Sequence, residues 1–424
     1  MKRLPIFVFA AVLLAAAALW AEVATLAIQV DRESQVYKCG EEAAFTIAAT
    51  DAEGKPAASG TLTVRFLNDF RKELRKETFD LAAGNPITVK QTMSTPSFLS
   101  VVANADGKEA LAGAAFDPLQ IQPAQACPND FNAYWDDLKR QVRELPEDLT
   151  LEEIPQLATE KRTVYRLKIR TLNDKFAHGF LSLPKNQGEG PFPVICNVPG
   201  AGPGVGPDLT YCEQGFVTLH MNVFPYPVSL NPEERAKQME ALNATHPNKW
   251  FYCYHGSDSR DTYFFRDAYL GIERAIEYVA NRPDTDASRM GYWGVSQGGA
   301  SALILGGLYG KFKVILSGVP ALCDHGGAYL DRSPGWPKLY DTVSTLETKT
   351  AGPYLDGVNF ARNIHSPIRV TVGFIDQTCS ASSVYAAYNT IPAKDKVILD
   401  EVKFGHSVGP KYREAEKWIL ESLK

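Results

Sequence analysis

Residues 290–300 read MGYWGVSQGGA, with four glycines set around Ser296. The apolar "RMGYWGV" that leads into the serine reads as a buried strand, and "QGGASALILGGLYG" after it reads as a helix. Gly294 and Gly298 lie two residues to either side, so the pattern is G-x-S-x-G at a strand-to-helix turn. Such a turn is so sharp that side chains flanking the serine would collide, and glycine removes them. The hydroxyl then stands above the sheet edge. The same letters also occur in plain structural turns, so the reading depends on what the rest of the chain supplies.

From Arg162 onward, strand-like and helix-like segments alternate. "RTVYRLKIRT" and "FAHGFLSLP" read as a hairpin, and "FPVICNVPG" and "FVTLHMNVF" as buried strands. "FFRDAYLGIERAIEYVANR" reads as a helix with Tyr269, Ile272, Ile276 and Val279 on one face. Beyond the Ser296 helix come the strands "FKVILSGV", "PIRVTVGFID" and "KVILDEVKF", the helix "SSVYAAYNTI" and a closing helix from about Pro410. Alternation of this kind predicts an α/β unit with a mainly parallel sheet covered on both faces.

A serine hydroxyl is a poor nucleophile at neutral pH and needs a base, which needs an orienting carboxylate. In hydrolases of this layout the chain order is Ser, then Asp or Glu, then His. Asp376 lies just past the strand "IRVTVGF", and His406 ends the strand-to-loop stretch "VILDEVKFGH". Both positions are strand ends, where ligand sites gather in open α/β sheets. Asp324 is the rival carboxylate. His325 and His365 precede the Asp376 strand and break the order, His178 and His220 lie in strand-like runs, and His246 and His255 belong to a loop-rich insertion, where contact with substrate is the minor reading.

Charge developing on an attacked carbonyl needs backbone N–H donors. One is expected from Gln297, at the start of the helix after the nucleophile. The second is expected from the glycine-rich loop "PGAGPG" at residues 199–204, with Ala201 as the donor and Gly200 and Gly202 as alternatives.

The chain has 424 residues, 45% of them hydrophobic, enough for more than one core. A net charge of -5, with Lys and Arg scattered, gives nucleic acid no surface to bind. Lys2 and Arg3 followed by the apolar residues 4–21 read as a signal peptide, with a retained anchor as the competing reading. No spanning stretch follows, so the mature chain is expected to be exported, periplasmic or secreted. Residues 22–120 hold seven β-type runs separated by turn clusters, which predict a small Ig-like β-sandwich in a structural or a carbohydrate-binding role. The Pro- and Gln-rich "DPLQIQPAQACP" places a boundary near residue 120, leaving 121–424 as the α/β unit. Seven cysteines without paired spacing form no zinc or redox motif, and no disulfide is assigned from them. No cofactor or metal is expected.

The stretches "PNDFNAYWDDL", "RDAYLGIERAIEYVANRPDTDASRMGYWGVSQGGASAL", "GFIDQTCSASSVYAAYNTI" and "KFGH" resemble the bacterial acetyl xylan esterase and cephalosporin C deacetylase family of carbohydrate esterases. The resemblance spans roughly residues 125 to 424 and implies an α/β-hydrolase fold. It also implies metal-free removal of acetyl groups from sugars and a triad on Ser296, Asp376 and His406. Family members typically carry a His-Gly-Tyr-Asn-Gly-like oxyanion loop, where this chain has "VPGAGPG". The family's ring-shaped hexamer makes a homo-oligomer a candidate assembly, which the extra sandwich leaves open. The expected substrate is an acetylated plant oligo- or polysaccharide. A serine peptidase and a non-catalytic carbohydrate-binding protein are the alternatives. Insertions at about 225–263 and 325–360 carry Trp250, Tyr252, Tyr254, Trp336 and Tyr340, which either wall the acyl pocket or pack a core.

Overall fold

The computed structural model describes residues 23–244 and 251–424. The expected signal peptide at 1–21 lies outside them, as do His246 and Trp250. Three sheets form among the described residues.

Two of these sheets belong to the front of the chain. A three-stranded sheet pairs Thr25–Val30, Ala43–Thr50 and Ile87–Gln91, and a five-stranded sheet pairs Val36–Tyr37, Lys108–Phe116, Ser97–Ala105, Thr61–Asn68 and Lys72–Asp80. Strict alternation of buried and half-buried residues along Ala43–Thr50 sends Phe45 and Ile47 inward. They meet Leu62, Val64, Phe66, Leu99 and Val101 of the other sheet in one apolar core. This is the sandwich expected from the sequence, with the short strand Val36–Tyr37 in addition.

The third sheet has nine strands. From one edge to the other they are Lys396–Glu401, Ile368–Gly373, Val314–Gly318, Thr285–Val295, Phe192–Asn197, Val217–Met221, Phe176–Pro184, Arg162–Arg170 and Thr150–Glu153. The first six pair in parallel, and the last three add antiparallel. Helices Phe264–Ala280, Gln297–Tyr309 and Ala381–Thr390 cover one face. On the other, Tyr412, Ile419 and Leu423 of helix Pro410–Leu423 pack on Ile195, Trp293 and Leu316. This is the α/β-hydrolase fold. The parallel strands point their carboxyl ends to one side, which is where ligand sites form. Among the described residues no helix is long and apolar enough to cross a membrane.

Some elements carry no sequence signal. Helix Pro232–Leu242 lies where the sequence reads as loop, because it buries Met239 alone and shows no apolar stripe. Strand Thr150–Glu153 has no buried residue and was likewise silent. The sandwich is not a separate bead. Phe98 belongs to the core of the nine-stranded unit, with its ring 5.1 Å from that of Phe374 and 5.5 Å from that of Tyr385. A side chain on Gly113 would come within 2.4 Å of the Phe374 carbonyl oxygen. Burying one Phe contributes roughly 1.5–3 kcal/mol, so this contact helps hold the two units together.

Candidate active site

Ser296 sits between strand Thr285–Val295 and helix Gln297–Tyr309 with φ 60° and ψ -118°. A non-glycine residue there costs on the order of 1–3 kcal/mol, so its surroundings must hold it in place. Its N–H donates to the Gly318 carbonyl at 2.9 Å, and its carbonyl accepts from Ala300 and Ala321 at 2.9 and 3.1 Å. The flanking glycines are sterically required. A Cβ on Gly294 would lie 2.3 Å from the Gly298 oxygen, and one on Gly298 would lie 2.2 Å from the Val198 oxygen.

Asp376 follows the end of strand Ile368–Gly373 in a turn closed by its own carboxylate. Oδ1 accepts from the amides of Thr378 and Cys379 at 2.8 and 2.9 Å. Oδ2 accepts from His406 Nδ1 at 2.8 Å. A carboxylate can only accept, so Nδ1 carries the imidazole proton and Nε2 is left with its lone pair. The Ser296 hydroxyl donates to that nitrogen at 2.9 Å. The Ile375 amide donates to the Phe404 carbonyl at 3.2 Å, which ties the Asp376 and His406 loops together. The Asp376 side chain is fully shielded, whereas that of His406 is 28% exposed, so water can reach the imidazole but not the carboxylate.

Gln297 is buried at the helix N-terminus, where the first N–H groups have no intrahelical acceptor. Its side-chain Oε1 accepts from the Tyr252 hydroxyl at 2.7 Å, which anchors the start of the helix. Ala201 lines a cavity of about 260 Å³ together with Ser296, Trp336, Thr378 and His406. A Cβ on Gly200 would lie 3.9 Å from that of Ser296, so the 199–204 loop passes beside Ser296.

The structure thus brings together Ser296, Asp376, His406, Gln297 and Ala201. Asp324 is not among them. It is buried in a pair with Arg332 at 2.7 Å and accepts from the Ala124 amide, which ties down the linker. His325 is buried against Tyr340, and His365 is exposed. Burial pushes His178, also near Lys168, and His220 down to about 4. His255 packs edge-on against Phe251. Of the described insertion aromatics, Trp336 lines the cavity. Tyr252 and Tyr340 are buried, and the Tyr254 hydroxyl donates to the Pro337 carbonyl. Cys379 is no competing nucleophile, because burial, with the Asp376 carboxylate beside it, holds its thiol well above the usual range.

Sequence reading passed over Thr378 as a cavity residue. Its signal was the Asp-x-Thr spacing, in which an Asp side chain accepts from the backbone two residues on. Tyr252 as the anchor of Gln297 carried no local signal.

The acetyl xylan esterase (AXE1) family model matches residues 117–422. The acetyl esterase Axe7A of Xylanibacter ruminicola is 30% identical over 351 residues, covering 81% of this chain and 79% of that protein. Acetyl xylan esterase 1 from Thermoanaerobacterium sp. JW/SL YS485 superposes with a TM-score of 0.61 at 24% identity, over 72% of this chain and 98% of that one. The acetyl xylan esterase from Paenibacillus sp. R4 gives 0.59 at 22% identity, with the same coverage of 72% and 98%. These two structures share the fold of the chain.

Proposed function

The chain belongs to the acetyl xylan esterase family and is a carboxylic ester hydrolase, and on that premise we propose that it is an exported serine esterase that deacetylates plant-derived oligo- or polysaccharides through an acyl-enzyme. The observation that carries this reading is the continuous chain from the Ser296 hydroxyl to His406 to Asp376, at 2.9 and 2.8 Å. As Ser296 Oγ attacks the acetyl carbonyl carbon, its proton passes to His406 Nε2 and the carbonyl electrons move onto oxygen. The amides of Gln297 and Ala201 donate to that oxyanion. The intermediate collapses, the bond to the sugar oxygen breaks, and the Nε2 proton goes to that oxygen. Water then attacks the acetyl-serine, giving its proton to Nε2, and that proton returns to Ser296 Oγ as acetate leaves. Asp376 stays ionised throughout and holds the imidazole in one tautomer.

In this reading residues 121–424 form the catalytic unit and 22–120 the sandwich, which agrees with a family match beginning at residue 117. Export is supported by Lys2 and Arg3 ahead of the apolar residues 4–21. Trp336 walls the cavity at Ser296, and in this reading it limits the acyl side. Each added methylene in a snug pocket is worth roughly 1–3 kcal/mol, about 10–200-fold in rate. Accordingly kcat/KM for p-nitrophenyl esters should fall steeply from acetate to butyrate, and acetylated xylo-oligosaccharides should release acetate. Equal or better turnover of butyrate and octanoate would mean a general esterase pocket and remove the deacetylase reading.

A further inference from the structure

The sandwich reaches the site through a hairpin tip. Strands Thr61–Asn68 and Lys72–Asp80 are joined through Asp69 and Phe70, both in the left-handed region at φ 46° and 57°. Two successive non-glycine residues there are costly, and strain of this kind persists only where the surroundings impose it. The Asp69 amide donates to the Phe98 carbonyl at 2.8 Å, and the Phe70 amide donates to Ser100 Oγ at 3.0 Å.

Asp69 itself is 2% exposed, and its Oδ2 accepts from the Ser382 hydroxyl. Ser382 lies in the first turn of helix Ala381–Thr390, whose N-terminus follows the Asp376 turn directly. Burial raises the Asp69 carboxyl to about 6, against the lowering effects of the Ser382 and Ser380 hydroxyls, the Arg332 guanidinium and the Ser382 amide. An acid from the sandwich therefore sits at the positive end of a catalytic-unit helix. The contacts continue into the pocket. Ser380 Oγ donates to the Ser333 carbonyl, and the Trp336 amide donates to the Thr378 carbonyl at 3.0 Å. Both Trp336 and Thr378 line the cavity over Ser296. Beside Asp69, Arg71 makes a two-pronged pair with Asp341 at 2.9 Å, and Lys72 pairs with Asp331 at 2.6 Å. Phe98 and Gly113 press on Phe374, two residues before Asp376.

We propose that the hairpin tip at residues 68–72 is a working part of the catalytic site. Asp69 is the positioning residue that holds the segment carrying Asp376 and Thr378 and, through it, the Trp336 wall that selects the acyl group. The inference rests on the Ser296, Asp376 and His406 reading above.

The test uses the full chain with Asp69→Ala, Asp69→Asn and Arg71→Ala, assayed on p-nitrophenyl acetate and butyrate. Loss of the carboxylate should lower kcat/KM on acetate roughly tenfold or more, the order expected when a reacting group is misplaced by a fraction of an ångström. It should also narrow the preference for acetate over butyrate. Asp69→Asn keeps an acceptor oxygen and tolerates the left-handed backbone, so it should recover most of both. A role in folding alone would lower the active fraction and leave KM and the acetate-to-butyrate ratio unchanged. A folded Asp69→Ala with wild-type KM and ratio would overturn the proposal. Should that variant fail to fold, Arg71→Ala decides, because it removes a partly exposed pair and spares the core. A ratio narrowed roughly twofold supports the proposal and an unchanged one overturns it. Ser296→Ala separates the two claims: if it is inactive while the tip variants behave as wild type, only the positioning inference falls, whereas an active Ser296→Ala removes the catalytic reading itself.

Discussion

The Asp376 carboxylate spends one oxygen on the amides of Thr378 and Cys379 and the other on His406. That division makes Asp376→Asn a clean test. An asparagine can keep its oxygen on the two amides only by turning its NH2 toward Nδ1, which then has to accept. The imidazole proton moves to Nε2, and the base facing Ser296 is lost. Turnover should fall about 10⁴-fold, while the melting temperature changes little because the turn keeps its bonds. A loss under tenfold would assign the orienting role elsewhere. At this scale the sequence was readable where the constraint is local. A Cβ on Gly294 would strike the Gly298 oxygen within the same turn, and that requirement is written into the motif, whereas the clash of a Gly298 Cβ with the Val198 oxygen, just past the end of the adjacent strand, shows only in the fold. Thr378 was legible only as a turn residue and Tyr252 only as one of several insertion aromatics, because the cavity and the Gln297 contact that give them their roles form when the fold brings distant segments together.

Helix Phe264–Ala280 shows the same divide within one element. Its apolar face was visible in the 3.6-residue spacing, and Tyr269, Ile272, Ile276 and Val279 are all fully buried. Glu273 lies among them and is also buried, with Arg143 Nη2 at 3.3 Å as its partner. A charged letter inside an apolar stripe gives no sign of whether it bends out to solvent or stays. Here it stays, and burial, helped by the neighbouring Glu277, pushes its carboxyl up to about 7 against the pull of Arg143, Lys139 and Lys311. Since the folded value lies above the ordinary 4.5, folding binds the proton. The contribution to stability is fully present below about pH 4.5 and is lost as pH rises through about 7. Glu273→Gln keeps the shape and removes the charge. Its stability should match wild type near pH 4.5 and exceed it by up to about 3 kcal/mol above pH 8, measured by urea unfolding. A difference that does not change with pH would contradict the assignment.

Across the whole molecule, the alternation after Arg162 was enough to expect a covered parallel sheet, and the turn clusters before residue 120 were enough to expect a sandwich. Their union was not legible. Phe98 meets Phe374, and Asp69 meets Ser382, across most of the length of the chain, and nothing in either segment marks the other. Phe98 reads as one more strand residue until the structure shows that its strand is buried on both faces. The described residues therefore pack as a single body, in which Phe98 and Asp69 of the front unit touch Phe374 and Ser382, before and after Asp376 in the chain. The central claim, that this body forms an acetyl-enzyme at Ser296, is tested most directly by acid-quenching the full-length protein during turnover of p-nitrophenyl acetate and mapping the adduct by mass spectrometry. The expected result is one acetyl group on the peptide containing Ser296, decaying as acetate is released and absent from Ser296→Ala. Acetate release with no acetyl group on Ser296, or undiminished turnover by Ser296→Ala, would contradict it.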